Sequence, residues 1–222
     1  MLSRGRATID PVRAPFRLHA GGPDGNDRLT SSIGIVLLVL LIVEAATTLA
    51  LHDYLSVHIF LGLLLIPPIA LKLAATGWRF VRYYLGNPAY RLRGPPQLFL
   101  RVLAPFLVLA TVVLFGTGVA FFVVGHGGGL LLTAHAASFV VWGVLVSVHV
   151  LAYLRHVLRS GLSDWRPRVG LRGVALRRTL VVGAIAAGVV VGVGTYTVQT
   201  TWIAHRDHHH EHDRGALGRP QA

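Results

Sequence analysis

Residues Leu130 to Leu154 read LLLTAHAASFVVWGVLVSVHVLAYL, twenty-five positions without a Lys, Arg, Asp or Glu. A helix needs about 20 apolar residues to cross a bilayer, and this run supplies them. It nevertheless carries His135 and His149. The two are fourteen positions apart, roughly 21 Å along a helix and close to four whole turns, so both rings leave nearly the same face. Polar groups at membrane depth are costly and usually functional, and imidazole is a common axial ligand for haem iron. One histidine in each leaflet, on one face, predicts two cofactor positions stacked across the membrane.

The rest of the chain agrees with a membrane setting. Its 222 residues are 53% hydrophobic, with mean hydropathy +0.60, too apolar for an ordinary soluble domain. The net charge of +12 comes from 21 basic residues, 20 of them Arg. These lie between the apolar runs and not among aromatics on a soluble fold, so they report membrane topology and no nucleic-acid partner. There is no cysteine, which excludes disulfides, thiolate-ligated haem and iron–sulfur clusters. The first apolar run follows about thirty polar residues and has no small-residue cleavage site, so it reads as a membrane helix rather than a cleaved signal peptide.

Five spans are predicted: Ser32 to Leu51, Tyr54 to Ala75, Val102 to Val124, Leu130 to Leu154 and Thr179 to Trp202. The loops after the second and fourth spans are rich in Arg, and the other two are very short. Basic loops stay cytoplasmic, which sets the N-terminus inside and the C-terminus outside a bacterial-type plasma membrane. The domain reading is a cytoplasmic segment 1–30, a four-helix core 31–157, a basic cytoplasmic loop 158–178, a fifth helix 179–203 and an extracytoplasmic tail 204–222. The terminal segments are expected to be irregular. Gly188 and Gly192 of the fifth helix have the small-xxx-small spacing that admits a close neighbour.

With this topology the depths of the polar residues can be compared. His58 lies about one turn below the outer end of the second span, at the level of His135. Two imidazoles on opposite sides of a porphyrin give six-coordinate iron suited to electron transfer. Fourteen residues after His58, opposite His149, stands Lys72. It reads as a cation snorkelling to the cytoplasmic surface, a partner for haem propionates, or an unusual axial ligand. Cytoplasmic arginines such as Arg79, Arg82 and Arg155 could pair with the propionates of an inner haem. Glu44, the only acid inside a span, sits near the depth of His58. It reads either as a proton- or ion-path group or as a carboxyl hydrogen-bonded to a neighbouring helix. His52, His126 and His156 read as turn or interfacial residues.

The stretch His58-Ile-Phe-Leu-Gly, with Thr133-Ala-His-Ala-Ala-Ser-Phe, Trp142 and Val148-His149-Val-Leu-Ala-Tyr, resembles the cytochrome b561-like and ferric-reductase-like membrane haem proteins. The resemblance covers about 32–157. It implies an all-α membrane protein whose four-helix bundle holds one or two b haems between histidines of facing helices, here with an extra C-terminal helix. His58 and His135 would bind an outer haem, and His149 would belong to an inner site. Lys72 departs from a two-haem pattern, which wants histidine there. Such proteins pass electrons between a quinol, ascorbate-like or protein donor and an acceptor, so an oxidoreductase or its membrane subunit is implied. No catalytic residue is singled out.

The tail contains His205, His208, His209, His210, Glu211 and His212, a set able to bind a divalent metal such as Cu, Zn or Ni. It also reads as a solvated polar tail. An alternative function follows from it: a haem-free membrane protein of metal-ion transport or assembly, with Glu44, His58 and His135 lining an ion path.

Overall fold

A computed structural model describes residues 21–94, 98–124, 129–162, 165 and 173–198. The His-rich tail, His126 and most of the basic loop lie outside them. Of the described residues 94% are helical, and none is in a strand. The helices are α1 (Gly22–Thr47), α2 (Leu51–Tyr84), α3 (Pro88–Arg91), α4 (Leu98–Val124), α5 (Gly129–Gly161) and α6 (Val174–Gly194).

Each long helix outruns its apolar stretch. Gly21, at φ 83°, starts α1, with a proline in the first turn and Asp24 on the positive end of the dipole. Residues 22–30, expected to be irregular, are therefore helical. Likewise α2 continues past Ala75 to Tyr84, and α5 past Leu154 to Gly161. Charged side chains end a hydropathy run without interrupting backbone hydrogen bonding. The fifth span is displaced the other way: α6 covers Val174–Gly194, and the residues from 199 onward are not described.

Four helical runs are long and apolar enough to cross a membrane, the first of them the 63 residues Gly22–Tyr84. That run is bent. A 3-10 turn at Thr48–Ala50 leads into Ala50 at φ −136°, ψ 55°, and Tyr54 is also non-helical. Its two halves lie antiparallel, since Glu44 meets His58 and Lys72 meets Thr30. The same logic orders the rest. Thr117 meets His135 and Thr111 meets Trp142, so α4 and α5 are antiparallel. Ser32 Oγ donates to the Gly161 carbonyl at 2.8 Å, setting α5 against α1. Gly161 is required there, because a Cβ would fall 2.8 Å from the Ser31 carbonyl oxygen.

α2 contains Pro67 and Pro68. Proline has no N–H, so Pro68 cannot bond the carbonyl of Leu64 one turn earlier. That same carbonyl faces Gly188 of α6, which could not carry a Cβ without striking it. A Cβ on Gly192 would lie 2.6 Å from the Phe60 ring. The small-xxx-small pair thus seats α6 on α2, opposite the backbone group that the proline frees.

The tightly packed core is built from α1, α2 and α6, around Ile33, Leu37, Leu65 and Val181. Most other apolar side chains of the long helices point outward, as expected where lipid is the solvent. At the end where α1 begins, Asp27 accepts from His156 Nε2 at 3.0 Å and pairs with Arg79 at 3.8 Å. Asp24 pairs with Arg93. One acidic turn thereby ties α1 to α2, α5 and the segment after α3.

Candidate functional site

Between α1, α2, α4 and α5 lie two cavities of nearly equal volume, about 180 Å³ each. One is lined by Glu44, His58, Gly118 and His135 among apolar residues. The other is lined by Gly34, Lys72, Thr76, His149 and Tyr153, again among apolar residues. Leu41 and Trp142 line both. Trp142 is buried, and its indole N–H donates to Thr111 Oγ1 at 3.0 Å. Pairing His58 with His135 and His149 with Lys72 is thus the pairing of the two cavities.

The first cavity has a defined hydrogen-bond logic. Thr117 Oγ1 donates to the carbonyls of Val113 and Leu114, at 2.8 and 2.9 Å. Its single hydrogen is therefore committed, and it accepts from His135 Nδ1 at 3.1 Å. On the other side Thr47 Oγ1 donates to the Glu44 carbonyl at 2.6 Å and accepts from His58 Nδ1 at 3.1 Å. Glu44 Oε1 stands 3.0 Å from the same Nδ1. With an acceptor facing Nδ1 of each ring, these contacts favour the tautomer that keeps the lone pair on Nε2, the one a metal-ligating histidine needs. Gly118 gives the ring room, since a Cβ there would lie 3.1 Å from Cε1 of His135.

The second cavity is built differently. Lys72 Nζ donates to the Thr30 carbonyl at 2.5 Å and packs against Gly34, where a Cβ would lie 3.2 Å away. The head group is turned to the α1 backbone and is not extended to the outer surface of the bundle. His149 lies beside Tyr153, ring centroids 5.0 Å apart. Neither of its nitrogens has a hydrogen-bond partner among the described residues. No threonine or acid fixes its tautomer.

The donor set of the first cavity would suit a haem: two imidazoles from facing helices, apolar walls and no Lys or Arg. Among the described residues no group of three or more His, Cys, Asp or Glu could hold a bare metal ion. The five tail histidines lie outside the described residues. His52 is exposed at the α1–α2 turn. Of the three arginines named as propionate partners, Arg79 pairs with Asp27, Arg82 stacks on Trp78, and Arg155 is exposed.

Sequence reasoning missed Thr47, Thr117 and the Trp142–Thr111 bond. A signal existed for the first, because Glu44 and Thr47 are three apart on one helix face. No family model matches the chain, and neither does any curated protein or solved structure.

Proposed function

We propose that this protein is an integral membrane b-type cytochrome that transfers electrons through haem held between α2 and α5. The observation that carries the reading is the matched pair His58 and His135. They share one cavity, and each has Nδ1 occupied by a local acceptor and Nε2 left for iron. A bound haem supplies one-electron exchange between ferric and ferrous iron. The chain supplies the rest. His58 and His135 would hold the haem, Thr47 and Thr117 would hold the ring orientations, and the phenylalanines of α4 and α5 would keep water out. Trp142 closes the floor of the site.

In this reading the bend at Thr48–Ala50 divides Gly22–Tyr84 into two crossings, making five spans with the N-terminus cytoplasmic. His149 and Lys72 mark an inner site, and one haem is expected, with a second as its maximum. Donor and acceptor are proteins or quinones of the membrane. The metal-transport alternative has no cluster of three ligands among the described residues to rest on.

Absorbance of the detergent-solubilised protein tests the proposal. A Soret band, with sharp α and β bands on dithionite reduction, is expected. Colourless, folded protein from haem-sufficient cells would refute it.

A further inference from the structure

Every polar group of the His58–His135 cavity has been accounted for except one. Among the described residues Glu44 Oε2 is buried without a hydrogen-bond partner, while Oε1 is 3.0 Å from His58 Nδ1. Gly62 of α2 leaves room for this carboxyl, since a Cβ there would lie 3.6 Å from Oε1. Glu44 is the one Asp, Glu, Lys or Arg among the residues that line the cavity. The arrangement is not mirrored across the cavity. His135 meets only neutral acceptors, the hydroxyl of Thr117 at Nδ1 and the backbone carbonyl of Leu114.

We infer that Glu44 is a positioning residue that makes the two axial imidazoles unequal, with His58 the stronger donor to iron. The inference rests on the haem reading above. Because Thr47 spends its hydrogen on a carbonyl, the shared proton belongs to Nδ1, and Glu44 accepts it. A carboxyl acceptor draws this proton harder than a neutral hydroxyl does. Electron density then moves through the ring to Nε2 and raises ligand basicity. A more basic ligand favours ferric over ferrous iron and lowers the midpoint potential. Hydrogen bonding to an axial ligand is one of the levers by which proteins tune haem. Glu44 thereby has work to do at membrane depth that needs no ion path through the bundle.

The test is a redox titration of the solubilised holoprotein with haem counted by pyridine haemochrome. Glu44→Gln keeps the shape and weakens the acceptor. It is expected to favour reduction at least tenfold, a rise of about 59 mV for a one-electron couple. Thr117→Val, which removes the neutral acceptor on the other face, is expected to shift the midpoint less. A haem-loaded Glu44→Gln protein at the wild-type potential overturns the inference and leaves the haem reading standing. So does a Thr117→Val shift as large as that of Glu44→Gln. Haem-free wild-type protein overturns both. If Glu44→Gln fails to load, Glu44→Asp is expected to restore haem, because it keeps a carboxyl acceptor. An equally empty Glu44→Asp makes the position structural and overturns the inference.

Discussion

The indole N–H of Trp142 donates to Thr111 Oγ1 at 3.0 Å, and this bond fixes the side chain that separates the two cavities. Trp142→Phe keeps most of the ring and loses the bond. Interhelical hydrogen bonds in membranes average about 0.6 kcal/mol, so a small fall in melting temperature is expected. Trp142→Ala joins the cavities and is expected to cost about 3–5 kcal/mol. Thermal unfolding in detergent measures both, and equal losses would refute the partition role.

The two histidines of α5 are expected to behave differently. On the proposed reading His135→Ala would remove an axial ligand and should abolish the Soret band. His149→Ala should leave that band near its wild-type intensity per polypeptide. The reverse result would overturn the assignment of the haem to the His58 cavity.

On the proposed haem reading, Lys72 stands where a second haem would need a ligand opposite His149. Lys72→His sets a second imidazole opposite His149, in a cavity as large as its neighbour. Haem per polypeptide is expected to rise from one toward two by pyridine haemochrome. A wild-type protein already at two would make the lysine amine a ligand.

Gly188 and Gly183 lie on the same helix but in different surroundings. A Cβ on Gly188 strikes the Leu64 carbonyl, whereas one on Gly183 meets nothing within 4 Å. Gly188→Ala is expected to cost about 1–3 kcal/mol, as overpacking does. Gly183→Ala should be neutral or better. Their melting temperatures give the comparison, and a harmless Gly188→Ala would refute the close seat of α6.

The chain has no cysteine, so single cysteines can report topology on a clean background. Leu49 in the α1–α2 turn and Leu92 after α3 are 88% and 89% exposed. Leu49→Cys should react with an impermeant maleimide in intact cells, and Leu92→Cys only after permeabilisation. Labelling of both from one side would remove the division of Gly22–Tyr84 into two crossings.

Apolar length and charge placement made the helices legible in the sequence, because a bilayer requires about 20 apolar residues per crossing. The ends were not legible. α1, α2 and α5 run on into charged sequence, where hydropathy stops reporting helix. At the site, the fourteen-residue spacings aligned His58 with His135 and Lys72 with His149. Spacing could not say where each polar atom points. The direction of Lys72 depends on the Thr30 carbonyl across the helix hairpin and on the gap at Gly34. The tethers of His58 and His135 depend on where threonine hydroxyls send their hydrogens. These are three-dimensional facts with only faint traces along the chain.

The carbonyl that Pro68 leaves free has a consequence for the order of synthesis. α2 is made about 120 residues before Gly188 of α6, and chains fold from the N-terminal end as they emerge. Through that interval the Leu64 carbonyl, which has a proline in place of its usual N–H partner, lacks the helix that packs against it in the finished fold. Only when α6 arrives is it covered. The last helix thus completes a seat made much earlier: a chain that ends before it leaves the α2 face around Leu64 and Phe60 without the glycine surface that packs on it.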